Sequence, residues 1–142
     1  MARDVSDTTP ITSRNMLVEW LEAGRKTDGA PLRIGTEHEK IPFYVADHSP
    51  VPYEGSAGRG GIRALLEGLG EALGWAPIFD RDALIGLYQP EGGGAISLEP
   101  GGQFELSGAP LEDVHAVEAE FDRHMADVKA IAAPLGIGFL DI

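Results

Sequence analysis

The chain has 142 residues, 43% of them hydrophobic, which is the length of one domain with apolar surface enough to bury a core. Its 23 acidic against 11 basic side chains give a net charge of −12, a field that repels phosphate backbones and argues against nucleic acid as a partner. The absence of cysteine excludes disulfides, thiolate metal sites and a cysteine nucleophile within this chain. No apolar run reaches the roughly 18 residues of a membrane span, and the acidic opening MARDVSDTTP lacks the basic and apolar regions of a secretory signal, so a cytoplasmic protein with no membrane partner is expected.

Residues 1–11 are expected to be frayed. Ser13 is placed to cap a helix carrying Met16, Leu17, Trp20 and Leu21 on one face and stopping at Gly24. After the loop RKTDGAP, the segment LRIGTEHEKIPFYV (32–45) reads as a strand, β-branched and aromatic at its ends. ADHSPVPYEGSAGRGG (46–61) holds Pro50 and Pro52, with Pro42 just upstream, and reads as a long irregular loop. Ile62, Leu65, Leu66, Leu69 and Leu73 then form the stripe of an amphipathic helix. APIF, ALIGLYQ, GAISLE and QFELS read as short strands split by DRD, PEGG and PGG, a spacing that favours antiparallel hairpins. A last helix is expected from near Pro110 through Leu111, Val114, Val117, Phe121, Met125, Val128 and Ala132, ended by Pro134 and Gly136, with IGFL as one more strand. The fold class is therefore α+β: an antiparallel sheet with helices packed on one face.

The stretch AISLEPGGQFELSG (95–108) carries the chemistry. If PGG is a three-residue hairpin loop, Glu99 opposes Gln103, Leu98 opposes Phe104 and Ser97 opposes Glu105. Side chains alternate across a strand, so Ser97, Glu99, Gln103, Glu105 and Ser107 share one face, and Ile96, Leu98, Phe104 and Leu106 the other. Glu37 and Glu39, at i and i+2 of the first strand, likewise project together, while His38 and Lys40 point the other way. Two accounts stay open. The acidic faces are simply solvated, or the paired carboxylates, which repel one another, hold a divalent cation such as Mg²⁺.

Other features are weaker. EGGGA and SAGRGG are glycine-rich without a following Lys-Ser/Thr or the dinucleotide-binding spacing, and read as turns. His115 and His124 stand nine residues apart on the last helix, cannot form a metal pair on one face, and are expected at its surface or edge. Arg33, Arg59, Arg63 and Arg81 read as surface charges or as phosphate ligands.

RIGTEHEKIPF, GIRALLEGLGEALGW followed by PIF, LIGL and above all ISLEPGGQFELSGAPL resemble the plant- and proteobacterial-type glutamate–cysteine ligases, from about residue 32 to the end. The resemblance implies a glutamine-synthetase-like, curved antiparallel sheet and ATP-dependent ligation of the γ-carboxylate of glutamate to the amine of cysteine through an acyl phosphate, the first step of glutathione biosynthesis. The implied partners are the small molecules glutamate, cysteine and ATP, the last as co-substrate, and the implied cofactor is Mg²⁺, with Mn²⁺ as a substitute. Carried over, Glu37, Glu39, Glu99 and Glu105 resemble metal ligands, and Gln103 and Arg33 substrate-binding residues. Family members are longer than this chain. Residues 1–31 are therefore expected to be an N-terminal helix and loop, and 32–142 the N-terminal part of a catalytic domain whose sheet is incomplete. Two alternatives accompany this reading: the paralogous ligase of ergothioneine synthesis, and a catalytically inactive metal- or partner-binding domain.

Overall fold

A computed structural model of the chain describes residues 8–91 and 93–141, with Asp141 described by its backbone alone. Most of the stretch expected to be frayed, residues 1–7, lies outside the described residues, as does Gly92 of the PEGG turn. The chain divides into two compact units, Met1–Leu32 and Arg33–Ile142.

In the first unit, helix α1 spans Arg14–Ala23. Ser13 is its N-cap, its Oγ accepting from the Met16 amide at 3.3 Å, and Gly24 is its C-cap. Gly24 keeps a right-handed conformation, so the helix ends without a left-handed glycine. None of the residues of α1 is buried.

Among the described residues, the second unit is a six-stranded antiparallel sheet carrying two α-helices. Its elements are β1 (Glu37–Tyr44), α2 (Ile62–Leu73), β2 (Ala76–Asp80), β3 (Ala83–Tyr88), β4 (Ala95–Glu99), β5 (Gln103–Ser107), α3 (Val114–Ala132) and β6 (Ile137–Asp141). The strand order is β2-β3-β4-β5-β1-β6, so β1, first in sequence, is inserted between β5 and the last strand.

The core forms where the apolar sides of these elements meet. Ile62, Leu65, Leu66 and Leu69 of α2 are buried against Leu87, Ile96, Phe104 and Leu106 of the sheet and Val128 and Ala132 of α3. Each such side chain contributes about 1.5–3 kcal/mol by leaving water. Gly74, left-handed at φ 66°, ends α2 and turns the chain into β2. The segment 46–61 is irregular as expected, pinned by Tyr44 Oη donating to the Gly60 carbonyl at 2.9 Å and by the Arg59 guanidinium 3.7 Å from the Tyr44 ring centroid.

Two boundaries differ from the sequence reading by more than a residue or two. The first strand begins at Glu37, not residue 32, because the ladder is broken ahead of it: that stretch is held by the isolated bridge of Ile34 to Leu111 and by the Gly108 amide donating to the Thr36 carbonyl at 2.7 Å. That bridge also takes Leu111 out of the last helix. The helix starts instead at Val114, capped by Asp113, whose carboxylate accepts from the amides of His115 and Ala116.

Candidate functional site: an acidic row across three strands

The hairpin forms in the register that its parity requires. Ser97 pairs with Glu105, Leu98 with Phe104 and Glu99 with Gln103, around the turn Pro100–Gly102. Gly101 and Gly102 both have φ above 80°, a left-handed conformation that a side chain would strain. Tertiary pairing then adds what the hairpin lacks. Strand β1 lies beside β5 with Glu39 opposite Glu105 and Glu37 opposite Ser107, and β3 lies beside β4 with Gly86 opposite Ser97. One row on the sheet face away from α2 and α3 thus reads Gly86, Ser97, Glu105, Glu39. A parallel row reads Ala95, Ser107, Glu37, and Glu99 and Gln103 lie on the same face beside the turn.

The row is not a solvated surface. Ser97 is 0% and Glu105 4% exposed, Glu39, Glu99 and Gln103 are half-buried, and Glu37 alone is exposed. Ser107 Oγ donates to Glu105 Oε1 at 2.5 Å. Ser97 Oγ is buried without a hydrogen-bond partner among the described residues. The ion pairs found, Arg33 with Glu112, Arg59 with Asp47 and Arg63 with Glu54, leave Glu39 and Glu105 without a cation among the described residues. Like charges directly opposite on adjacent strands destabilise the pairing, and a buried carboxylate is costly unless a cation or donors satisfy it. Oxygen donors of this kind fit Mg²⁺, which binds one or two carboxylates and completes its shell with water and phosphate oxygens. Among the described residues, no three His, Asp or Glu side chains are close enough as they stand to hold a metal ion. Glu37, Glu39, Glu99 and Glu105 therefore share a face without forming a ready-made cage.

Arg33, the other substrate-binding candidate, lies just ahead of Ile34 and pairs with Glu112 at 2.5 Å, a partly exposed contact. Gln103 lies opposite Glu99, at the hairpin end of the acidic face.

The reverse side of β1 holds what the sequence reading missed. Lys40 is 0% exposed and donates to the His38 carbonyl at 3.0 Å, and the His38 ring lies 4.2 Å from that of Phe121 on α3. His124 is not at the helix surface or edge as expected: it is buried, its Nε2 has no partner among the described residues, and its pKa is lowered from 6.5 to about 3 by burial, then by the charges of Lys40 and His38. The signal was the parity itself, which sends His38 and Lys40 to the face that the helices cover.

With this geometry the comparison with known proteins is direct. The sequence profile described as glutamate-cysteine ligase family 2 (GCS2) matches residues 33–141, nearly the whole of the second unit. The chain belongs to this family. It is 47% identical over 135 residues to the chloroplastic glutamate–cysteine ligase of Medicago truncatula, covering 95% of this chain and 25% of that protein. The chloroplastic enzyme of Arabidopsis thaliana is 47% identical over 135 residues, 95% of this chain and 24% of that one. Glutamate–cysteine ligase A of Oryza sativa subsp. japonica, also chloroplastic, is 46% identical over 138 residues, 97% and 26% of the two chains. The chain spans about a quarter of the length of these ligases. Their designation corrects the cytoplasmic expectation: the matched relatives are plastid proteins, and ten acidic-leaning residues that do not form a secretory signal carry no information about other compartments.

Proposed function

We propose that this chain forms part of an ATP-dependent glutamate–cysteine ligase and that its acidic face holds a divalent cation, Mg²⁺ or Mn²⁺, against the phosphates of ATP. The reaction is phosphorylation of the γ-carboxylate of glutamate followed by attack of the cysteine amine on the acyl phosphate, as the first step of glutathione biosynthesis. The observation that carries the reading is the pair Glu39–Glu105, opposite on adjacent strands, largely or partly buried, with no cationic side chain beside either among the described residues.

Glu39 and Glu105 would hold the cation from adjacent strands, with Glu37 and Glu99 flanking them two positions along β1 and beyond the Ser97 position of β4. A cation so bound supplies neutralisation of the transferring phosphoryl oxygens. The chain's own residues provide the rest of the surface. The buried Ser97 hydroxyl offers a hydrogen bond toward the face, the Gln103 amide offers a neutral donor and acceptor to substrate, and Arg33 offers a guanidinium to a carboxylate once released from Glu112. The antiparallel sheet, with helices on one side and carboxylates on the other, is consistent with a glutamine-synthetase-like architecture, which this reading includes.

The test is a Mn²⁺ titration of the chain, read by the relaxation of water protons, compared with Glu39→Gln. Saturable binding by the wild type, weakened tenfold or more in the variant, is expected. Equal binding by both, or none by a folded wild-type chain, overturns the proposal.

A further inference from the structure

The two carboxylate oxygens of Glu105 are not equivalent. Oε1 accepts from Ser107 Oγ at 2.5 Å, the short length of a hydroxyl donating to a carboxylate. No other hydrogen bond or ion pair of Glu105 is found among the described residues. Ser107 is itself fixed by pairing on both sides, opposite Ala95 of β4 and opposite Glu37 of β1, and as residue i+2 of the same strand its hydroxyl reaches Glu105 along the face. On the other flank, the Ser97 hydroxyl is wholly buried and has no hydrogen-bond partner among the described residues. It is an independent sign that this row is built to receive an oxygen-bearing group, such as the water shell of a cation.

We infer that Ser107 is a positioning residue that restricts Glu105 to a single-oxygen contact with the cation, and so favours Mg²⁺ and Mn²⁺ over Ca²⁺. The inference rests on the metal-binding reading above. Small octahedral cations accept carboxylates through one oxygen and keep much of their water, whereas Ca²⁺ takes six to eight oxygens and commonly engages a carboxylate through both. The Ser107 hydrogen bond takes one lone-pair site of Oε1 and fixes the tilt of the carboxylate, so two-oxygen binding has to turn the group against a charge-assisted hydrogen bond. Removing the hydroxyl frees the carboxylate to turn and removes the handicap on Ca²⁺.

The experiment is Mn²⁺ binding to the whole chain by electron paramagnetic resonance, with Mg²⁺ and Ca²⁺ as competitors, in wild type, Ser107→Ala and the isosteric pair Ser107→Thr and Ser107→Val. In Ser107→Ala and Ser107→Val, Ca²⁺ is expected to gain about tenfold on Mg²⁺ as a competitor, the loss of one hydrogen bond to a charged group. Ser107→Thr, which keeps the hydroxyl, retains the wild-type ratio. The Thr/Val pair gives the same contrast if the alanine variant does not fold. An unchanged ratio in Val relative to Thr, with Mn²⁺ still bound, overturns the role of Ser107 and leaves the metal site standing. Failure of a folded wild-type chain to bind Mn²⁺ overturns both.

Discussion

Replacing His124 by leucine tests the electrostatics beneath the carboxylate strand. The imidazole is buried between α3 and β1, with the charges of Lys40 and His38 close by, and its pKa falls from 6.5 to about 3. A group whose folded pKa is depressed binds a proton in the unfolded chain first, so stability is fully present above pH 6.5 and is lost as the pH falls toward 3. Each pH unit inside that window is worth about 1.4 kcal/mol, so wild type loses roughly 2 kcal/mol from this residue between pH 7 and pH 5. Leucine does not titrate, nearly matches the histidine in volume, and removes the orphaned Nε2, whose burial costs on the order of 1–3 kcal/mol. The variant is therefore expected to be at least as stable as wild type at pH 7 and to gain about a further 2 kcal/mol on it by pH 5. Urea unfolding followed by far-ultraviolet circular dichroism at pH 7, 6 and 5 measures the difference. Carboxylate titrations common to both proteins cancel in it. Parallel stability profiles, with a constant difference across the range, would refute the argument and mean that His124 is charged or solvated in the folded chain.

Two further outcomes follow from the acidic row. Glu105→Gln removes one of two opposed charges, so without metal the variant should unfold at higher urea than wild type, by about 1 kcal/mol; millimolar Mn²⁺ should raise wild type alone and reverse the order, and a variant destabilised without metal would contradict the repulsion. Gly86→Ala would drive a methyl group into the Ile96 carbonyl oxygen, so β3 must draw away from β4 at a cost of about 1–3 kcal/mol. An unfolding midpoint within error of wild type would show that β3 and β4 are less closely packed than this.

The sequence alone determined whatever depends on neighbours along the chain. Parity around Pro100–Gly102 was enough to pair Ser97 with Glu105 and to put the polar residues of 95–107 on one face, because a one-residue slip would exchange the two faces and bury the carboxylates under the helices. The stripe Ile62, Leu65, Leu66, Leu69 and the Ser13 cap were legible for the same reason. The tertiary structure decided what depends on distant partners. Nothing local indicates that β1 inserts between β5 and β6, yet that insertion is what puts Glu39 opposite Glu105 and turns two modest acidic patterns into one row. Nor could local pattern show that Ser97 and Glu105 lose their water, or that Leu111 leaves the helix to bridge Ile34. His124 is the sharpest case. Spacing along a helix assigns a residue to a side, but only the strand packed beneath, with Lys40 and His38 on it, sets whether that side is wet and what charge it can hold.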